Sequence, residues 1–273
     1  MEAQIRSDDP GEAFELLVWQ LDCGATDALA EAPVDRFALS AAEGEAATRP
    51  RPAPGPAPAA MPAPLPHAAP AIDWAAEAAR AAAAAPDLAA LAAAYEAFDG
   101  CDLKLGARRF VFADGNPAAR VLILGEGPGA EEDRAGLPFV GPAGQMLDRM
   151  FAAIGLRRDH PDPARALYIT NTVPWRPPGN RQPSDDEIAL LRPFVLRHIE
   201  LAAPALVVAM GNAAAQALLG RQGITRLRGT FQDTPLGPVL PMFHPSALLR
   251  RPEWKREAWA DLLTLQARLR ELP

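Results

Sequence analysis

Four short apolar runs constrain the fold of this chain more than any other feature. They read RVLILG at 120–125, ALYITN at 166–171, ALVVAMG at 205–211 and PVLPMFH at 238–244. Each is aliphatic or β-branched and bounded by turn residues, the pattern of a strand buried on both faces. Helical patterns fall between them near 143–155, 185–202 and 212–220, and a last one spans 252–270. Ser184 and Glu187 form an S-x-x-E capping box for the second of these helices. Strands alternating with helices predict an α/β fold: a three-layer sandwich with a central four-stranded parallel sheet flanked by helices. In such a sheet the site lies beyond the carboxyl ends of the strands. Those ends carry GEGPG, TNTVPWRPPGNR, GNAA and FHPSALLR.

The rest of the chain divides around this domain. Residues 1–40 contain one amphipathic, helical segment with Phe14, Leu17, Trp19 and Leu21. Residues 41–73 form a Pro/Ala-rich linker without the apolar content for a core, expected to be semi-extended. The globular pattern occupies 74–273 and opens with an alanine-rich helix. The formal net charge of −7 is unevenly placed. Residues 1–100 carry 16 acids against 5 bases, whereas residues 160–273 carry 14 bases against 10 acids, so the C-terminal half can meet a polyanion. Two cysteines, Cys23 and Cys101, support neither a disulfide framework nor a four-cysteine metal site. An acidic N-terminus and the lack of an 18-residue apolar run point to a cytoplasmic protein without a membrane partner.

The glycine turn GEGPGAEEDRAG has the strand–turn–helix setting of a phosphate cradle, yet it carries Glu126, Glu131, Glu132 and Asp133. Acids repel phosphate, and GEGPG holds no Lys or Arg, which disfavours a nucleotide-binding enzyme. Three other residues suggest a planar ligand. Asn171 at a strand end offers a donor and an acceptor side by side, matching a nucleobase edge, although an amide there can equally cap a loop. Phe139 can serve as a stacking platform or as ordinary core. His244, just past the last strand, can be catalytic or structural. The two leucines after it either pack on the final helix or form a wedge for a base stack. His160 and His198 read as surface residues.

Several blocks in order and register, GEGPGAEEDRAGLPFVGPAGQMLDRMFAAIGL, YITNTVPWRPPGNRQPSDDEI, RPFVLRHIE and HPSALLR, closely resemble family 4 of the uracil-DNA glycosylase superfamily over about residues 108–270. The resemblance implies a DNA-repair enzyme that flips uracil out of DNA and hydrolyses its N-glycosidic bond, leaving an abasic site. Gly125 and Gly127 would then make room for the base, Phe139 would stack on it, and Asn171 would read its N3–H and O4. His244 would donate to O2 as charge develops, with Glu126 and Asn180 in supporting polar positions. Glu132 would stand near the C5 edge, where it can exclude the thymine methyl. Leu248 would intercalate, while Ser246 and Arg250 would hold backbone phosphates.

The chain departs from that family at its iron–sulfur ligands. Only Cys101 matches a ligand position; Lys104, Trp175 and Leu191 stand at the other three. One thiolate cannot hold a four-iron cluster, so no iron and no other cofactor is expected, with Trp175 and Leu191 filling the volume by core packing. The aspartate that activates water in the best-known branch is replaced by Gly127, leaving open whether Glu126 or Glu132 takes that role. RPPGNRQP lacks the histidine of the branch that traps itself on DNA, so ordinary turnover is expected. A monomer is expected, with Trp19 and its neighbours a candidate docking segment for a repair or replication partner. Two alternatives stand: a silent DNA-binding or adaptor protein of the same fold, or a glycosylase for another deaminated base.

Overall fold

The computed structural model describes residues 72–272. The N-terminal helical segment and all but the last two residues of the Pro/Ala tract lie outside the described residues. In chain order the elements are α1 (Trp74–Ala84), α2 (Leu88–Ala97), α3 (Leu103–Gly106), β1 (Ala113–Gly115), β2 (Val121–Gly125), α4 (Ala130–Ala135), α5 (Pro142–Ala152) and β3 (Leu167–Asn171). There follow α6 (Asp185–Ala202), β4 (Leu206–Met210), α7 (Gly211–Leu219), α8 (Ile224–Leu227), β5 (Gln232–Thr234), β6 (Gly237–Met242), α9 (Pro245–Arg250) and α10 (Lys255–Glu271).

The four apolar runs form the parallel centre of the sheet, as expected. The sheet itself has six strands, in the order β1-β3-β2-β4-β6-β5. Two three-residue strands, β1 and β5, pair antiparallel to its edges. Alternate residues of the central strands feed two cores, one per face. Val121, Ile123, Ile169, Val208 and Leu240 pack with α5 and α10. Leu122, Leu124, Tyr168, Val207 and Ala209 pack with α6 and α7.

Local chemistry explains the helix limits. Pro86 ends α1 of the alanine tract, since the residue before a proline is pushed out of the helical region; Ala85 is extended at φ −75°, ψ 118°. Asp87 then caps α2 by accepting from Ala90 N at 2.8 Å. At α6, Ser184 and Glu187 satisfy each other's backbone N–H groups as the capping box requires.

One histidine differs from expectation. His198 is not on the surface but 2 % exposed, stacked on Phe112 at 4.3 Å, with its Nε2 2.8 Å from the Tyr168 hydroxyl. Burial lowers its pKa to about 4, so it is a neutral core ring.

Candidate active site

The loops after β2, β3 and β6 enclose a cavity of about 430 Å³ that Glu126, Phe139, Asn171, Asn180, His244 and Arg250 help to line. The glycines of the first loop set its shape. A Cβ at Gly125 would fall 2.4 Å from Asn171 Oδ1 and 2.5 Å from Phe139 Cε2, so any side chain there would displace these two cavity-lining groups. A Cβ at Gly127 would lie 2.7 Å from Val173 Cγ2.

Phe139 is held in place at some cost. Its φ of 53° lies in the left-handed region, which costs a bulky residue about 1–3 kcal/mol. Arg158 spans the strained turn, donating from Nη1 to Pro138 O at 3.0 Å and from Nη2 to Phe139 O at 2.9 Å. Asp114 and Asp148 fix the guanidinium at 2.8 and 2.9 Å. Gly144, in the first turn of α5, makes room for the same carbonyl: a Cβ there would sit 1.7 Å from Phe139 O. The ring itself is 5 % exposed and its centroid lies 5.3 Å from that of His244.

Asn171, at the carboxyl end of β3, is 5 % exposed, and its Oδ1 is buried without a hydrogen-bond partner. A buried acceptor left unpaired costs about 1–3 kcal/mol, and this one belongs to a cavity-lining residue. His244 precedes α9 and is oriented by its own helix start. Its Nδ1 accepts the Ser246 N–H at 3.2 Å and lies 2.8 Å from the Ser246 hydroxyl. An amide can only donate, so the Nδ1 lone pair is occupied and the proton of the neutral ring is on Nε2. Burial, helped by the Arg250 charge, lowers the His244 pKa to about 4. The ring therefore offers an N–H donor near neutral pH without carrying charge.

The acids of the first loop separate into different jobs. Glu132 accepts from Gly129 N, Val140 N and Gly141 N at 3.1, 3.0 and 2.8 Å, tying the glycine turn to the Phe139 turn. Both of its oxygens are engaged. Asp133, 2 % exposed, accepts from Arg108 N and Arg109 N. With Glu131 they sit in the first turn of α4, where the helix dipole favours negative charge. Of these acids Glu126 and Glu132 line the cavity, and of the two only Glu126 has a carboxylate not bonded to protein. Burial raises its pKa, and the Arg250 charge partly opposes the rise.

The remaining expected residues are distributed unevenly. Asn180, exposed on a 3₁₀ turn at φ 54°, accepts from Arg176 Nε at 2.7 Å on the cavity rim. Ser246 and Arg250 line the cavity. The two leucines after His244 do not share one environment. Leu248 is fully buried in the core against α5 and α10, whereas Leu249 is 43 % exposed. Position follows from the helix: on the short α9, residue 248 turns inward and residue 249 outward.

Cys101, Trp175 and Leu191 lie together, each 3 % exposed or less, in one apolar cluster with Tyr95, Phe98 and Phe194. Lys104 Nζ turns to Asp99 at 2.6 Å and lies 6.0 Å from the Trp175 ring. Tyr95 stacks on Phe194 at 4.2 Å and meets Trp175 edge-on at 5.7 Å. These residues do not fit a four-iron cluster: one thiol is present, and indole and leucyl carbons stand at two of the other ligand positions. Among the described residues no group of three or more His, Cys, Asp or Glu side chains could hold a metal ion, and no helix is long and apolar enough to cross a membrane.

Fold and site together define an α/β protein with a cavity at the carboxyl ends of its central strands, lined by a buried amide, a phenyl ring and an imidazole. A family model described as the uracil DNA glycosylase superfamily matches residues 112–263. A type-4 uracil-DNA glycosylase of Thermotoga maritima is 40% identical over 153 residues, covering 55% of this chain and 77% of the relative. One of Archaeoglobus fulgidus is 35% identical over 170 residues, covering 59% and 82%. A type-5 uracil-DNA glycosylase of Pyrobaculum aerophilum is 32% identical over 146 residues, covering 49% and 64%. The chain belongs to the uracil DNA glycosylase superfamily, in its family-4-like part.

Sequence reasoning missed Arg158, Asp133 and Gly144. Gly144 carried a signal: a glycine in the first turn of a helix weakens it unless another backbone must approach.

Proposed function

We propose that this chain is a DNA-repair uracil-DNA glycosylase that flips uracil into the cavity and hydrolyses its N-glycosidic bond. The observation that carries the reading is the unpartnered Asn171 Oδ1 beside the Phe139 ring. Uracil N3–H supplies the missing donor, and the side-chain amide then donates to O4. Cytosine has no proton on N3, so it would leave the acceptor unpaired and be rejected.

As the bond from C1′ to N1 breaks, its electron pair leaves with the base and spreads onto O2. The His244 Nε2–H stabilises that anion; such a preorganised donor is worth about 3–4 kcal/mol. Glu126 faces the electron-poor sugar and orients the water that adds to C1′, taking up its proton. Glu132, fixed by its three backbone partners, serves as a rigid wall near C5 that excludes the thymine methyl. Leu249, the exposed leucine, is the better wedge for the vacated stack, and Arg250 holds an adjacent phosphate.

The enzyme works as a cytoplasmic monomer without iron, its domain spanning 74–273 and tethered through the 41–73 linker to an N-terminal segment that docks a repair or replication partner. The apolar cluster around Cys101 supports the metal-free part of this reading. The test is excision from single- and double-stranded oligonucleotides carrying uracil, hypoxanthine or thymine, read out by alkaline cleavage, with iron assayed in the same protein. Uracil excision at zero iron, lost about a hundredfold or more in His244→Ala, is expected. No excision by folded wild-type protein overturns the reading and favours the silent DNA-binding alternative.

A further inference from the structure

A second, smaller cavity of about 210 Å³ adjoins the first, lined by Ala247, Arg250, Arg251 and Trp254. Arg250 lines both cavities, and its charge reaches Glu126 and His244. The Trp254 indole that lines the smaller one is packed from behind. Phe243, the residue before His244, is 1 % exposed and stacks on Trp254 at 4.5 Å with the rings 10° from parallel. The Arg251 guanidinium lies over the same indole, 4.6 Å from its centroid. Its backbone is pinned on both sides, by Arg251 N to Ala247 O at 2.8 Å and by Trp254 N to Arg251 O at 3.1 Å. Cation–π packing orders the arginine without neutralising it. Neither Arg250 nor Arg251 pairs with a carboxylate among the described salt bridges, a state they share with thirteen other described Lys and Arg side chains.

We propose that Arg251, braced on Trp254, forms a second phosphodiester site for the strand whose base occupies the pocket. The proposal rests on the glycosylase reading. Leu249, Arg250 and Arg251 are consecutive and exposed at the end of α9, and Arg250, which lines the main cavity, shares the smaller one with Arg251, so the two cations continue outward from the pocket. A guanidinium packed over an indole keeps N–H donors free for phosphate oxygens. The exposed Glu253 is the one acid within the connecting turn.

The test uses the full chain in a His244→Ala background, which slows turnover about a hundredfold or more. Binding of a uracil-containing oligonucleotide is followed by fluorescence anisotropy from low to moderate NaCl. Arg251→Ala is expected to weaken binding about tenfold at low salt and to reduce the slope of log K against log salt by about one. Trp254→Leu should shift binding the same way by less. Arg270→Ala, at the far end of α10, is the control and should change neither quantity. In the otherwise wild-type enzyme, Arg251→Ala should lower single-turnover excision at subsaturating protein about tenfold and the rate at saturating protein by much less. A salt slope for Arg251→Ala equal to that of Arg270→Ala overturns the proposal, and so does a fall in the saturating rate as large as the fall at subsaturating protein. Selective displacement of the oligonucleotide by millimolar inorganic phosphate, beyond chloride at equal ionic strength, also overturns it by reassigning the site to a free anion. Wild-type excision of uracil is measured alongside: its absence would sink the glycosylase reading, whereas its presence with an unaltered Arg251 slope would sink only the second site.

Discussion

Asn171 and Trp175 are four residues apart in the segment leaving β3, yet they enter opposite kinds of environment. Asn171 lines a cavity and keeps a buried acceptor unpaired. Trp175 is sealed into an aromatic cluster with Tyr95, Phe98, Phe110 and Phe194. The pocket is held by strain and left incomplete: a left-handed phenylalanine, glycines that a methyl group would ruin, and an orphaned oxygen. The cluster is filled. Stability and binding thus draw on different residues of the same short segment. A site that awaits a ligand should lose function without losing stability when altered, and a packed cluster should show the reverse.

The largest expected effect tests the second half of that contrast. Trp175→Ala should lower unfolding free energy by about 3–5 kcal/mol, measured by urea denaturation. Excision per folded molecule should remain near wild type at low temperature. A drop in activity without a drop in stability would break the comparison. Asn171→Ala tests the other half. Uracil excision should fall about a hundredfold, in line with losing one preorganised contact. Stability should hold or rise, because the orphaned acceptor is gone.

A smaller effect sharpens the boundary between the two regions. Arg158→Met removes the clamp on Phe139 while keeping much of its length. Each charge-assisted hydrogen bond is worth about 1.5–3 kcal/mol, and the cost should divide between stability and the rate at saturating substrate. Arg158→Lys should recover stability better than rate, since an ammonium cannot hold the two carbonyls in a fork. The smallest expected effect is a shift of pH dependence. His244 is depressed to about 4 and so stays neutral through the ordinary histidine range. The profile of kcat/KM should therefore show no step near pH 6.5. Glu126 is raised by burial, and the water-orienting role proposed for it requires the carboxylate, so activity should fail on the acid side as it takes up a proton. Arg250 opposes that rise, and Arg250→Gln should move the acid limb to higher pH.

The parts legible in the sequence were those fixed by local pattern. The four central strands announce themselves because burial on both faces demands unbroken apolar runs. The edge strands β1 and β5, reading ADG and QDT, do not, since three polar residues carry no period. The acids after GEGPG concealed α4; three acids followed by a left-handed Gly136 are a helix start and stop compressed into one turn of sequence. His198 could have been placed in the core from its spacing, for Leu191, Val195, His198 and Ile199 fall on one face of α6. Arg158 could not. Its partners Asp114 and Phe139 lie 44 and 19 positions away, and only the folded sheet brings them together. The family resemblance located Glu132 and Ser246, but their hydrogen bonds to backbone and imidazole are products of three-dimensional closure.

Ser246 has a further consequence. Its amide and its hydroxyl both address His244 Nδ1, and a hydroxyl has a single proton to give. If a DNA phosphate takes that proton, the amide alone keeps the imidazole in register, so the tautomer survives while the ring gains a little freedom to swing. Gripping the strand would then cost Nδ1 one of its two partners and leave Nε2, on the other side of the ring carbon between them, still carrying its proton.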